Sequence, residues 1–322
     1  MSLSLPKERP AEGAVNRAER VVDNWRRILS RPASVPALAV VGFVVIALAW
    51  NAWIGIRFER SPLFLLIPPA LVWPVCALYV SVQRLTILAE ILFYISLYYI
   101  FTFFSIQITY LCLSLGYPIQ DTLLARLDLS LGFDWLRWAK FLQAHPLFME
   151  ILDQAYRSHF WQPFLIITVL AVTKPVEGNS ELLMGLVLAA LMTFAVATFV
   201  PAIGPGDALG FLPEPAPVIR ALNGSPTAQV LRYTGVVTFP SFHTVMAILF
   251  AYACRNVRWL FPAIGGLNAL MLISVPYSGD HYLVDMIAGA IIAIIAIFAT
   301  SRLMTVLSNS RQGSRALRVD AS

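Results

Sequence analysis

From residue 34 to residue 56 the chain runs 23 residues without a charged side chain, and residues 61–83 do the same. A helix rises 1.5 Å per residue and needs roughly 20 apolar residues to cross a ~30 Å hydrocarbon core. Six more uncharged runs follow, at 91–120, 158–173, 182–206, 233–254, 259–279 and 286–301. Charged residues make up only 13% of the sequence, against roughly 25% in soluble domains. The fold class expected is therefore all-α, a polytopic membrane helical bundle. It has about eight transmembrane helices, the shorter runs borrowing polar flanking residues.

An even number of spans puts both termini on one side. The two tails, with Arg84, Lys174, Arg255 and Arg258, hold most of the 23 Lys and Arg residues. Cytoplasmic segments carry that excess, so both tails are expected in the cytoplasm of a bacterial-type inner membrane. The basic segment 7–31 has no short apolar core followed by small residues and is read as an arm, not a cleaved signal. Orientation and anionic lipid account for the net charge of +5, so no nucleic acid is expected as partner. Cys76, Cys112 and Cys254 lie in apolar runs and read as small buried hydrophobes. Nothing in the sequence decides the oligomeric state.

The expected organisation is a basic arm (1–33), two closely linked transmembrane helices (34–84), a core of six more spans (85–303) and a cytoplasmic basic tail (304–322). Within the core, residues 117–157 mix apolar residues with charges at helical spacing. Leu123, Leu124, Leu127 and Leu131 form one stripe, and Phe133, Trp135 and Trp138 suit a headgroup zone. This region is read as short helices lying in the interface. The stretch 201–238 is rich in Pro and Gly and does not span. On this topology it shares the extracytoplasmic face with residues 279–281.

Two polar motifs stand out of the apolar background, FPSFH at 239–243 and DHYLVD at 280–285. Ionisable groups at membrane depth are costly, which makes them functional candidates. Both motifs begin their spans from the same face, so topology brings them together. His281 and Asp285 stand at i and i+4 and meet on one helix face. A carboxylate on one imidazole nitrogen fixes the tautomer and leaves the other nitrogen free to attack an electrophile. Pro240 and Ser241 suit a helix start, where unpaired N–H groups attract an anion, with His243 beside it as proton donor. Together these groups make a site for phosphoryl transfer through a phosphohistidine.

FPSFHT and HYLVD resemble the signatures of the type 2 phosphatidic acid phosphatase superfamily. Within it they are most similar to the inositol phosphorylceramide synthase branch, whose motifs read close to FPSLH and HYFVD. The similarity covers roughly residues 91–300. It implies a six-helix core, His281 as nucleophile, Asp285 orienting it, His243 protonating the leaving group, and no metal or other cofactor. The implied substrate is a membrane phospholipid or isoprenoid phosphate, with a lipid hydroxyl as candidate acceptor.

The chain departs from the family pattern at several positions. The arginine expected six residues before the nucleophile is Val275, preceded by Ser274, and the glycine usually following Pro-Ser is Phe242. Arg220 and Arg232 in the Pro/Gly loop either supply the missing positive charge or anchor to lipid headgroups. The Gly204-Pro205-Gly206 turn offers N–H groups to a phosphate. Arg157 and His159 either line the entrance to the site or serve the packing, the reading given to His145. Asp280 either caps the following helix or raises the pKa of His281.

Three alternatives accompany this reading. Water as acceptor would make the protein a lipid phosphate or isoprenoid diphosphate phosphatase. His243, His281 and Asp285 would also serve chemically as a zinc set. Polar groups between spans also mark transporters and scramblases, though those place broken helices at the midplane. Here the polar groups cluster at one end of three late spans.

Overall fold

A computed structural model describes residues 19, 22–23, 31–58, 86–173, 177–210, 229–230 and 235–319. In chain order its helices are α1 (Arg31–Ile54), α2 (Thr86–Ser114), α3 (Asp121–Ser130), α4 (Trp135–Ala144), α5 (Pro146–Arg157) and, after a 3₁₀ turn at Ser158–Phe160, α6 (Gln162–Thr173). They continue with α7 (Glu177–Phe199), the single turn α8 (Pro205–Ala208), α9 (Phe242–Ala253), α10 (Leu260–Ser278) and α11 (Leu283–Val319). The strands described are a two-residue parallel pair, β1 (Arg57–Phe58) with β2 (Gln229–Val230). The protein is an all-helical polytopic membrane bundle.

Five of the eight expected spans are helices long and apolar enough to cross a membrane, namely α1, α2, α7, α10 and the first part of α11. Two more, α6 and α9, are apolar but only 12 residues long. The remaining one, at 61–83, lies outside the described residues. The run at 233–254 is thus not helical throughout: residues 235–241 carry no helix, and α9 begins only at Phe242. Pro240 cannot donate an N–H to a helix, and Ser241 stops it from extending backwards by capping it.

Helix α7 is the centre of the bundle. Its most apolar window is 67% buried, against 28% for α1 and 33% for α11, and it packs on α1, α2, α6, α9 and α11. At Gly185 a Cβ would stand an ordinary 3.6 Å from the Leu249 side chain of α9, so the two helices pack there at van der Waals distance. The outer helices turn apolar residues outward, among them Leu38, Val41 and Val45 on α1 and Ile291, Ile294 and Phe298 on α11. That is the surface a lipid solvent requires. Inside, Tyr94 and Ser180 hydrogen-bond at 2.6 Å, joining α2 to α7. At the end of α9 remote from His243, Arg255 binds Glu181 through two bonds of 2.8 and 2.9 Å.

The region 117–157 folds as the three amphipathic helices α3, α4 and α5, with α5 packed along α10 and α3 against α11. The leucine stripe of α3 faces outward, with Leu123, Leu127 and Leu131 exposed. Its inward face carries Asp121, Leu124 and Asp128. The inversion follows from the surroundings: leucine gains nothing by leaving lipid for protein, while a carboxylate must find donors. Trp135 is buried, not set among headgroups, and donates its indole N–H to the Pro276 carbonyl at 2.6 Å.

Candidate active site

The two motifs meet because α9 and α11 touch at their N-terminal ends. Gly289 permits the contact: a Cβ there would collide with the Ser241 carbonyl oxygen and lie 3.2 Å from Thr244 Cβ. At this crossing the N–H of Ser241 donates to the backbone oxygen of Asp285 at 3.0 Å. The Ser241 hydroxyl accepts the N–H of Thr244 at 3.3 Å, capping α9 two residues before His243.

The loop between α10 and α11 carries the second motif, and the carboxylates of α3 hold it. Asp128 accepts from the N–H groups of Leu283 and Val284 at 2.8 and 2.9 Å, so it caps α11 from a different helix. Burial pushes the Asp128 carboxyl above its ordinary value, and those two donors pull it down. Asp121 accepts the Ile203 and Gly204 N–H groups at 3.0 Å and the Tyr282 hydroxyl at 3.0 Å. One helix therefore ties the start of the Pro/Gly stretch to the loop that carries His281.

Asp280 does not cap α11, because Asp128 already does. It takes a positive φ of 53° and turns its carboxylate onto the Gly206 N–H at 2.6 Å. Gly204, at φ 102°, must be glycine here, since a Cβ would run into the Asp280 carboxylate. Burial raises the Asp280 carboxyl to about 6; the Gly206 donor opposes the rise and the Asp207 charge adds to it.

At the centre, His281 Nδ1 lies 3.3 Å from Asp285 Oδ2. His281 Nε2 lies 3.3 Å from His243 Nδ1, and His243 Nε2 lies 2.8 Å from the Tyr156 hydroxyl. Asp285 Oδ2 also accepts the Tyr282 N–H at 2.8 Å. His281 and Asp285 are almost fully buried, at 1% and 0% exposure. Burial brings the His281 imidazole down to about 4, although Asp280 pulls the other way. At neutral pH His281 is therefore uncharged.

Of the candidate residues, His243, His281, Asp285 and Ser241 form one cluster. His159 borders it, its ring 5.1 Å from that of His243, and it donates Nδ1–H to the Tyr156 carbonyl at 2.6 Å. Burial lowers its pKa. Gly206 sits in the adjoining turn α8 with its N–H committed to Asp280. Arg157 stands apart, exposed and paired with Asp153 at 2.6 Å one turn earlier. Arg220 and Arg232 fall outside the described residues. Val275, where the family arginine would stand, is buried in α10, and the Ser274 hydroxyl donates to the Met271 carbonyl at 2.6 Å. His145, at the junction of α4 and α5, donates to the Phe141 carbonyl at 2.8 Å and takes no part.

The three zinc candidates do not converge on one point: Asp285 engages Nδ1 of His281 and His243 engages Nε2, the opposite edge of the ring. Among the described residues no group of three His, Cys, Asp or Glu is placed to hold a metal ion.

Tyr156, Asp121 and Asp128 were not legible as site residues. Each is a single residue in an amphipathic helix, with no motif around it.

The matched sequence coincides with this architecture. A family profile described as the PAP2 superfamily matches residues 122–299, from the first turn of α3 to the middle of α11 and over half the chain. The chain belongs to the PAP2 superfamily. As a PAP2 protein it is an enzyme of the lipid phosphatase and phosphotransferase class, acting on lipid phosphates in a membrane. The PAP2 match includes the three interfacial helices, so α3 to α5 belong to the family unit, while α1 and α2 precede it. No curated protein and no solved structure matches the chain.

Proposed function

We propose that this PAP2 enzyme transfers the phosphoryl or phospho-headgroup of a membrane lipid to a lipid hydroxyl through a phosphohistidine on His281. The likeness of FPSFH and HYLVD to the inositol phosphorylceramide synthases favours this over hydrolysis. The observation that carries the reading is the Asp285–His281–His243 line, with one carboxylate oxygen on Nδ1 and the second histidine at Nε2. His281 Nε2 attacks phosphorus as the bond to the leaving oxygen breaks, and His243, which takes up a second proton when the anionic phosphate binds, gives that oxygen a proton and is left neutral. The acceptor hydroxyl then attacks the phosphohistidine, passes its proton to His243, and releases His281 with its lone pair restored. Asp285 holds the tautomer and offsets charge on the ring while the N–P bond exists.

The 3.3 Å gap between Nε2 and the His243 ring leaves no room for a phosphorus atom. Substrate binding therefore separates the two rings. Burial of the nucleophile also keeps water from the phosphoenzyme, which suits a lipid acceptor. On the topology read from the charges, the site faces the extracytoplasmic side of a bacterial inner membrane with both termini in the cytoplasm. Arg220 and Arg232 are assigned to the substrate phosphate in place of the missing arginine.

The test uses purified protein in detergent with a panel of phospholipids and isoprenoid diphosphates, each with and without ceramide or diacylglycerol. Mass spectrometry follows free phosphate and new lipid products. A phosphorylated product that needs the acceptor and vanishes in His281→Ala supports transfer. Phosphate release indifferent to the acceptor makes the protein a phosphatase.

A further inference from the structure

The proton positions across the site follow from the partners, because each neutral imidazole carries one N–H. With Asp285 as acceptor, His281 holds its proton on Nδ1 and presents a lone pair at Nε2. His243 Nδ1, 3.3 Å from that lone pair, must then be the donor. Its Nε2 is left as an acceptor, and the group facing it at 2.8 Å is the Tyr156 phenol. The same phenol stands 3.5 Å from Nδ1, the longer of its two approaches.

The opposite polarity is complete only when the Asp285 carboxyl carries a proton and gives it to His281 Nδ1, and it is inert. If His243 carried its proton on Nε2, its Nδ1 would become an acceptor. It would then draw the His281 proton to Nε2 and cover the attacking lone pair. The choice made at Tyr156 thus reaches the nucleophile two groups away.

We propose that Tyr156 is a positioning residue: by donating to His243 Nε2 it holds His243 as the Nδ1–H tautomer and keeps His281 Nε2 free to attack. This assignment rests on the phosphohistidine reading of His281. Burial pushes the phenol above its ordinary value, with the Asp153 and Asp280 charges adding to the rise, so it remains a protonated donor. His159 does not substitute through Nδ1, whose proton is already given to the Tyr156 carbonyl. The phenol is fixed by α5, which lies along α10.

Nitrogen-15 spectra of histidine-labelled protein test this directly, since the chain has 4 histidines, each assignable from a single His→Gln variant. Wild-type His243 is expected protonated on Nδ1 alone, and Tyr156→Phe, which takes the donor away from Nε2, is expected to admit the Nε2–H tautomer as a second population. On any panel lipid the wild type turns over, Tyr156→Phe should lower kcat by about 10- to 100-fold with KM unchanged, less than removal of the general acid itself. Tyr94→Phe, which loses the bond to Ser180 away from the site, should leave both readouts unchanged.

A His243 that shows only the Nδ1–H tautomer in Tyr156→Phe, or an unaltered kcat, overturns the assignment. Should Tyr156→Phe not fold, 3-fluorotyrosine at position 156 supplies a stronger donor. The His243 Nε2 resonance should then shift, and a resonance that stays put overturns the assignment too. The tautomer spectra need no substrate. Expected spectra from a protein with no turnover on the panel would therefore overturn the phosphohistidine reading and leave the hold of Tyr156 on His243 standing.

Discussion

Asp128 of α3 accepts the backbone N–H of Leu283 at 2.8 Å and so caps the helix that carries Asp285. The cap comes from the interfacial region, not from the residues before the helix. Asp128→Ala leaves the N–H groups of Leu283 and Val284 without their acceptor. A lost cap costs about 1–2 kcal/mol, and thermal unfolding in detergent should register it. Turnover should fall as well, because His281 and Asp285 flank the freed turn. Asp128→Asn, which keeps one acceptor oxygen, should lie between the variant and wild type.

His281→Ala should abolish turnover while the folded protein persists by circular dichroism and gel filtration. Asp285→Asn should keep the geometry and slow the reaction by on the order of 10²- to 10⁴-fold, because the amide no longer selects the productive tautomer. Residual activity near wild type in either variant would remove the role assigned to that residue.

Gly289→Ala places a methyl group against the Ser241 carbonyl at the crossing of α9 and α11. The helices must separate, at about 1–3 kcal/mol for overpacking. The His243–His281 distance changes with them, so kcat should drop together with stability. Gly185→Ala, where a Cβ meets Leu249 at an ordinary 3.6 Å, serves as the control and should cost little.

Asp280 and His281 have opposite effects on stability as pH changes. The Asp280 carboxyl rises from 3.8 to about 6 on folding, so the folded state binds its proton more tightly. Stability from this group falls as pH climbs through that window. His281 drops from 6.5 to about 4, so its contribution is present above pH 6.5 and is lost as pH falls towards 4. Asp280→Asn keeps an acceptor for the Gly206 N–H and removes the first contribution. Its melting temperature, minus that of wild type, should therefore rise between pH 4 and pH 6; a flat difference would rule out the buried-acid description.

Activity should survive EDTA, since the two histidines and the carboxylate engage one another along a line and do not converge on an ion. Loss of activity on chelation, restored by zinc, would reverse this assignment.

The membrane spans, the meeting of the two motifs and the His281–Asp285 pair are properties of the sequence by itself. Five of the runs without charge form helices long enough to cross, and the one span between FPSFH and DHYLVD puts the two motifs on one face. The i, i+4 spacing brings imidazole and carboxylate together. The Ser241 cap is equally local, a side chain reaching the N–H of Thr244 three residues on. Tertiary structure decided everything that depends on one helix lying beside another. Tyr156 reaches His243 only because α5 packs along α10, and nothing around it in sequence sets it apart from other aromatics of the interfacial region. Asp121 and Asp128 are two charges among several in an amphipathic stretch, and only the packing of α3 turns them inward onto the loop that carries His281. The physical reason is range. Hydropathy and helical periodicity act between residues a few positions apart, whereas a buried carboxylate or phenol takes its partner from whatever distant backbone or side chain the packing sets within 3 Å.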